Sequence, residues 1–229
     1  MSGKTVTWNQ AEPAPLVIVS GAEAYLASRA VRKIRTSLAQ AFADLEIHEI
    51  DEGQYSSGDL LNLAAPSLFN EPRLVLITGS HESLMTDLSQ YLDDAVENCF
   101  VVVRLPNLVG HAGKIKTGLA SKALNVVCEE IKRDSDKLTF ITQELAAHGV
   151  KISSDAARSL LQAFSSDLGE LAGACSQLAA SGLNSIDLDV VNRTFQGRVE
   201  TNAFKITDAA LAGNAAEAIR LYRHGSATG

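Results

Sequence analysis

Short apolar runs alternate with amphipathic stretches along residues 1–136. Leu16-Val17-Ile18-Val19-Ser20 ends at Gly21 and is followed by Leu26, Ala30, Ile34 and Leu38 at helical spacing, which predicts a strand, a turn and a helix. Leu45-Glu46-Ile47-His48-Glu49-Ile50 alternates apolar and polar positions as a half-buried edge strand does. Ser57 is placed to cap a helix around Leu60, Leu61 and Leu63 that Pro66 ends. A third strand is predicted at Arg73-Leu74-Val75-Leu76-Ile77, and a helix over 84–96 from Leu84, Leu88, Tyr91, Leu92 and Ala95. Phe100-Val101-Val102-Val103 is apolar on both faces, as central parallel strands are, and Asn125-Val126-Val127-Cys128 is a fifth strand. Strands alternating with helices predict a parallel sheet flanked by helices.

After Asp134-Ser135-Asp136-Lys137 the strand signal stops. Helical patterns follow over 138–148, ended by Gly149, over 154–180, with a break near Gly169, and over 187–195, ended by Gly197. Ile141, Leu145 and Val150 share one side of the first; Ala157, Leu160, Leu161 and Phe164 share one side of the second. These stripes are predicted to pack against each other as a small helical domain. A last segment from Thr201 has one helix through Phe204, Ile206, Ala209, Ala210 and Leu211, a turn at Gly213-Asn214, and another helix over 215–223. Two short helices cannot close a core of their own, which predicts that a larger third domain is cut off here. The expected domains are 1–136 (α/β), 137–200 (all-α) and 201–229.

The chain has 229 residues, 46% hydrophobic and 21% charged, enough apolar material for one full domain and a smaller one. Residues 1–14 are polar, and no stretch approaches the ~20 apolar residues of a membrane span, so a cytoplasmic protein with no membrane partner is expected. Cys99, Cys128 and Cys175 are widely spaced in apolar surroundings, which excludes a disulfide framework and a paired-cysteine metal site. A formal charge of −7 argues against gripping nucleic acid by bulk electrostatics. The local basic cluster Arg29, Arg32, Lys33 and Arg35 reads first as a solvated helix face and second as a phosphate track.

The frame looks like a nucleotide-binding fold without its nucleotide machinery. A phosphate loop needs a glycine-rich turn, a lysine and a Ser or Thr; Gly21-Ala22-Glu23-Ala24-Tyr25 has one glycine and no lysine, and Glu23 would repel a phosphate at the helix N-terminus. Gly3-Lys4-Thr5 has no strand or glycine before it. The third and fourth strands run into Thr78-Gly79-Ser80 and Arg104-Leu105-Pro106, with no carboxylate for magnesium. His48-Glu49-Ile50-Asp51-Glu52 begins like a zinc motif but lies on a strand pattern. Ser80 and His81 are neighbours in sequence, which does not make a triad. No catalytic, cofactor or metal residues are assigned.

One apolar pair stands out. In Pro66-Ser67-Leu68-Phe69-Asn70, a leucine and a phenylalanine follow a helix-breaking proline, before Asn70-Glu71-Pro72 turns into the third strand. Composition by itself favours burial of the pair in the protein's own core; an outward-facing pair would be a docking surface. Taken in order, Leu16-Val17-Ile18-Val19-Ser20-Gly21-Ala22-Glu23-Ala24-Tyr25-Leu26, Ser67-Leu68-Phe69 before Arg73-Leu74-Val75, Val101-Val102-Val103 with Leu105-Pro106-Asn107, Phe204-Lys205-Ile206-Thr207-Asp208-Ala209 and Ala216-Glu217-Ala218 resemble the delta subunit of the bacterial DNA polymerase III clamp loader. The resemblance covers nearly the whole chain.

It implies an AAA+-like, P-loop-type parallel-sheet domain lacking the phosphate loop, then a three-helix lid domain, then the opening of a helical collar domain. It implies a subunit that binds no ATP, needs no cofactor and is not an enzyme by itself, although grouped with DNA-directed DNA polymerase as part of the holoenzyme. The partner it implies is the beta sliding clamp, opened by an adjacent Leu and Phe, which by position are Leu68 and Phe69, with Pro66, Ser67, Asn70 and Arg73 shaping the rim. A collar would join the other loader subunits, gamma/tau and delta prime, and DNA would be met only within the complex. Two rivals stay open: an active AAA+-type ATPase with an unfamiliar phosphate loop, and a small-ligand module with its crevice near Gly21 and Gly79.

Overall fold

The β-branched runs form six strands: β1 (Lys4–Thr7), β2 (Leu16–Ser20), β3 (Glu46–Ile50), β4 (Arg73–Thr78), β5 (Cys99–Leu105) and β6 (Leu124–Val127). In this computed structural model they pair in parallel throughout, in the order β1-β6-β2-β5-β4-β3. The structure describes residues 3–51, 53–66, 71–94, 96–195 and 203–228. The chain divides into two compact units, 1–130 and 131–229.

In the first unit, the strands most apolar in sequence lie in the middle. β2 is buried along its whole length, and Val101, Val102 and Val103 of β5 are buried on both faces. β3, which alternates, sits at an edge and is only partly covered. One face carries Leu16, Ile18, Val75, Ile77, Val101 and Val103 into a core with Leu60 of α2 (Asp59–Leu63), Leu84, Leu88 and Tyr91 of α3 (Leu84–Asp93), and Ile115 of α4 (His111–Gly118). Strand alternation leaves the other face to α1 (Ala24–Ala41), whose buried stripe is Leu26, Ala27, Ala30, Ile34 and Leu38. Each fully buried Leu or Ile contributes about 1.5–3 kcal/mol.

The second unit is helical: α5 (Asp134–Ala147), α6 (Ser154–Ala163), α7 (Leu168–Ala179) and α8 (Leu188–Thr194), with a ribbon of β7 (Lys151–Ile152) and β8 (Ser185–Ile186). Ile141, Leu145 and Val150, and Ala157, Leu160, Leu161 and Phe164, are all buried. α9 (Ala203–Leu211) and α10 (Ala215–Thr228) pair across a turn at Gly213, where φ is 75°.

Several boundaries differ from those predicted. Ser57 does not cap α2: Gly58, with φ 86°, precedes the helix, and no side chain caps it. The helix ends at Leu63, before Pro66 is reached. The predicted 84–96 helix stops at Asp93. The break expected near Gly169 is present, at 164–167, where Asp167 caps α7 by accepting Glu170 N at 2.8 Å. Gly197 lies outside the described residues.

Candidate functional site

The carboxyl end of β2 is where this architecture would hold a ligand. Here the turn is closed by the chain itself. Cys128 N donates to Ser20 O at 2.7 Å, and Glu23 N donates to Cys128 O at 3.1 Å. Gly21 has φ 135°, and a Cβ on it would stand 2.1 Å from the Cys128 carbonyl oxygen. The Glu23 carboxylate accepts Tyr25 N at 3.1 Å, so the first turn of α1 is capped by an anion of the chain's own. Lys4 is on β1, separated from β2 by β6, and its Nζ is 3.5 Å from Glu12.

The other candidates for chemistry resolve into local contacts. Glu49 pairs with Arg35 at 3.1 Å, while His48 Nε2 stands 3.6 Å from Glu46. His81 Nδ1 meets Ser83 Oγ at 2.8 Å, and its ring tilts against Tyr55. Burial pushes the Cys128 thiol up to about 11 and the Cys175 thiol up to about 12, and raises Cys99 as well, so none is a ready nucleophile. Among the described residues no His, Cys, Asp and Glu cluster could hold a metal, and no helix is long and apolar enough to cross a membrane.

The basic cluster on α1 is partly occupied internally. The Arg29 guanidinium lies 4.5 Å from the Trp8 ring centroid, Lys33 donates to Asn9 O at 2.5 Å, and Arg35 pairs with Glu49 at 3.1 Å.

The connection between α2 and β4 runs over residues 64–72. Ser67, Leu68, Phe69 and Asn70 are outside the described residues; Pro66, which leads into them, is exposed. What the structure shows is the stem. Arg73 Nη1 donates to Leu63 O at 3.2 Å and to Ala65 O at 2.9 Å, clamping the exit of α2 to the start of β4. Its Nε lies 3.3 Å from Glu46 Oε2, within ion-pair range though off hydrogen-bond geometry, and its Nη2 is 4.0 Å from Glu71. The backbone adds Glu46 N to Pro72 O at 2.9 Å and Arg73 N to Asn98 O at 2.8 Å. With its side chain only 17% exposed, Arg73 braces the loop's base.

The entrance of α2 is held too. Asp87 of α3, buried, accepts Tyr55 Oη at 2.7 Å and Gly58 N at 3.0 Å. Desolvation, then the bond to Asp87, raises the Tyr55 phenol far above its ordinary value. Sequence reasoning missed Asp87; its one signal was an acid at the buried spacing of α3, three residues after Leu84 and one before Leu88.

A six-stranded parallel sheet with helices on both faces, followed in the chain by a helical unit, defines an α/β fold of the layered parallel-sheet class, here with the turn after β2 closed by the chain's own groups. Among solved structures the chain is similar to the Bacillus subtilis DNA clamp loader delta protein (YqeN), with TM-score 0.69, 17% identity, and 94% of this chain and 68% of that chain covered. It is less similar to the Thermotoga maritima RuvB Holliday junction branch migration motor, with TM-score 0.45, 14% identity, and 82% of this chain and 63% of that one covered. Domain III of the Thermotoga maritima replication initiation protein DnaA gives TM-score 0.43 at 12% identity, over 82% of this chain and 85% of that one. No family model and no curated protein sequence matches the chain. The first likeness establishes a shared fold.

Proposed function

We infer that the chain is a clamp-loader subunit of the delta type, one that is not itself catalytic and that binds and opens the beta sliding clamp through Leu68 and Phe69. The observation that carries this reading is the stem of the 66–72 loop. On a fold shared with a DNA clamp loader delta protein, Asp87 fixes the entrance of α2 and Arg73 ties its exit to the start of β4, the two described ends from which the Leu68 and Phe69 segment springs. An apolar pair filling a pocket supplies about 1.5–3 kcal/mol per side chain, the scale of a hot spot. Opening follows if the subunit binds the strained ring more tightly than the closed one.

The self-capped α1 and the closed Gly21 turn support a subunit without an ATP site of its own. Residues 137–200 serve as the lid domain and the α9–α10 pair as the opening of the collar, through which gamma/tau and delta prime would be met. DNA is contacted only within that assembly, in the cytoplasm. The test is a pull-down with purified sliding clamp, paired with ATP titration by calorimetry. Clamp retention without micromolar ATP affinity is expected; micromolar ATP binding without clamp retention contradicts the reading.

A further inference from the structure

We propose that a second site, on the α1 side of the sheet, binds a phosphate group through Arg32 and Arg104. A cavity of about 280 Å3 lies beside α1 toward the carboxyl ends of β3, β4 and β5, and Arg32, Arg35, Arg104, Glu49, Asp51 and Thr78 are among the residues that line it. Arg32 and Arg35 are one turn apart on α1, so both project from one flank. Arg35 is engaged with Glu49 at 3.1 Å. That leaves Arg32 and Arg104 against the one carboxylate of Asp51 in the lining, an excess of positive charge in a concave space.

Arg104 gives the second observation. Its Nε is buried with no hydrogen-bond partner, and its Nη2 reaches Ala24 O at 3.4 Å, near the limit of a hydrogen bond. The Arg104 side chain lines the cavity with a single long hydrogen bond from its guanidinium nitrogens, and guanidinium forks match the paired oxygens of a phosphate. Thr78 adds a hydroxyl to the wall. The volume lies just below the roughly 300–1,000 Å3 of drug-sized ligand pockets, which favours a small tetrahedral oxyanion over a whole nucleotide. The carboxyl ends of parallel strands are the usual ligand side of such sheets. None of the cavity's lining residues belongs to the stem of the 66–72 connection, so the proposal stands or falls apart from clamp binding.

The test is calorimetric titration of the full chain with inorganic phosphate and with pyrophosphate at constant ionic strength, chloride serving as control. Saturable binding with Kd on the order of 1 mM or tighter is expected. Arg32→Gln and Arg104→Gln should each weaken it at least tenfold. Arg32 is exposed on α1, so Arg32→Gln keeps the test decisive should Arg104→Gln disturb the fold. A short DNA duplex, titrated in competition, separates the sources: displacement of phosphate, lost in both variants, assigns the site to nucleic-acid backbone, and no displacement assigns it to a free phosphate compound. Non-saturating binding, or affinity unchanged in both variants, overturns the proposal.

Discussion

Arg73 ties the two legs of one loop to each other and to the edge strand, through Leu63 O, Ala65 O and Glu46. Arg73→Ala leaves two carbonyls without a charged donor, at an expected cost of about 2–3 kcal/mol measured by urea denaturation. Arg73→Lys should recover little, because an ammonium does not reproduce the fork. Gly21 is a second residue with no substitute. Its φ of 135° and the Cys128 carbonyl 2.1 Å from a built Cβ mean that Gly21→Ala should lower stability by at least about 2 kcal/mol. The buried thiols set a pH dependence. Cys128 and Cys175 are raised to about 11 and about 12 in the fold, above an ordinary 9.0. Their contribution is therefore complete below pH 9 and lost as pH rises through the folded values, because the unfolded chain gives up its thiol protons first. Unfolding free energy should fall from about pH 9 upward, and Cys175→Ala should flatten the decline.

At the scale of elements, α2 is only five residues long and too short to be stable by itself, so its place depends on what grips its ends. Asp87→Ala releases Gly58 N and the Tyr55 hydroxyl together. Amide exchange over 53–64 should accelerate, and clamp affinity should fall about three- to tenfold while the sheet stays protected. Most central elements were legible beforehand: β2 and β5 from continuous apolar runs, β3 from its alternation, α1 from its stripe. β1 was missed because Lys4-Thr5-Val6-Thr7 has a single buried residue, Val6, and gains strand character only by pairing with β6. α4 was missed because it carries two glycines and only Ala112 and Ile115 buried, which leaves no period to read. The α2 cradle was illegible for another reason. Tyr55 and Asp87 are 32 residues apart, and nothing local in the sequence announces their bond.

For the molecule as a whole, the formal charge of −7 and the apolar character of Leu68 and Phe69 lead to the same expectation. Clamp binding should change little between about 50 and 300 mM salt, since screening acts on charge pairs and not on buried apolar area. Binding at the arginine cavity should weaken over the same range. In the second unit, Leu211 is 82% exposed and Tyr222 64% exposed, which suits a helix pair that meets further apolar surface, as the proposed collar would. The most direct measurement is surface plasmon resonance of the immobilised sliding clamp against the chain and its Leu68→Ala, Phe69→Ala double variant, with circular dichroism and melting recorded alongside. The account requires binding lost by at least a hundredfold with melting nearly unchanged. Undiminished binding by the double variant, or loss of binding only together with collapse of the fold, contradicts it.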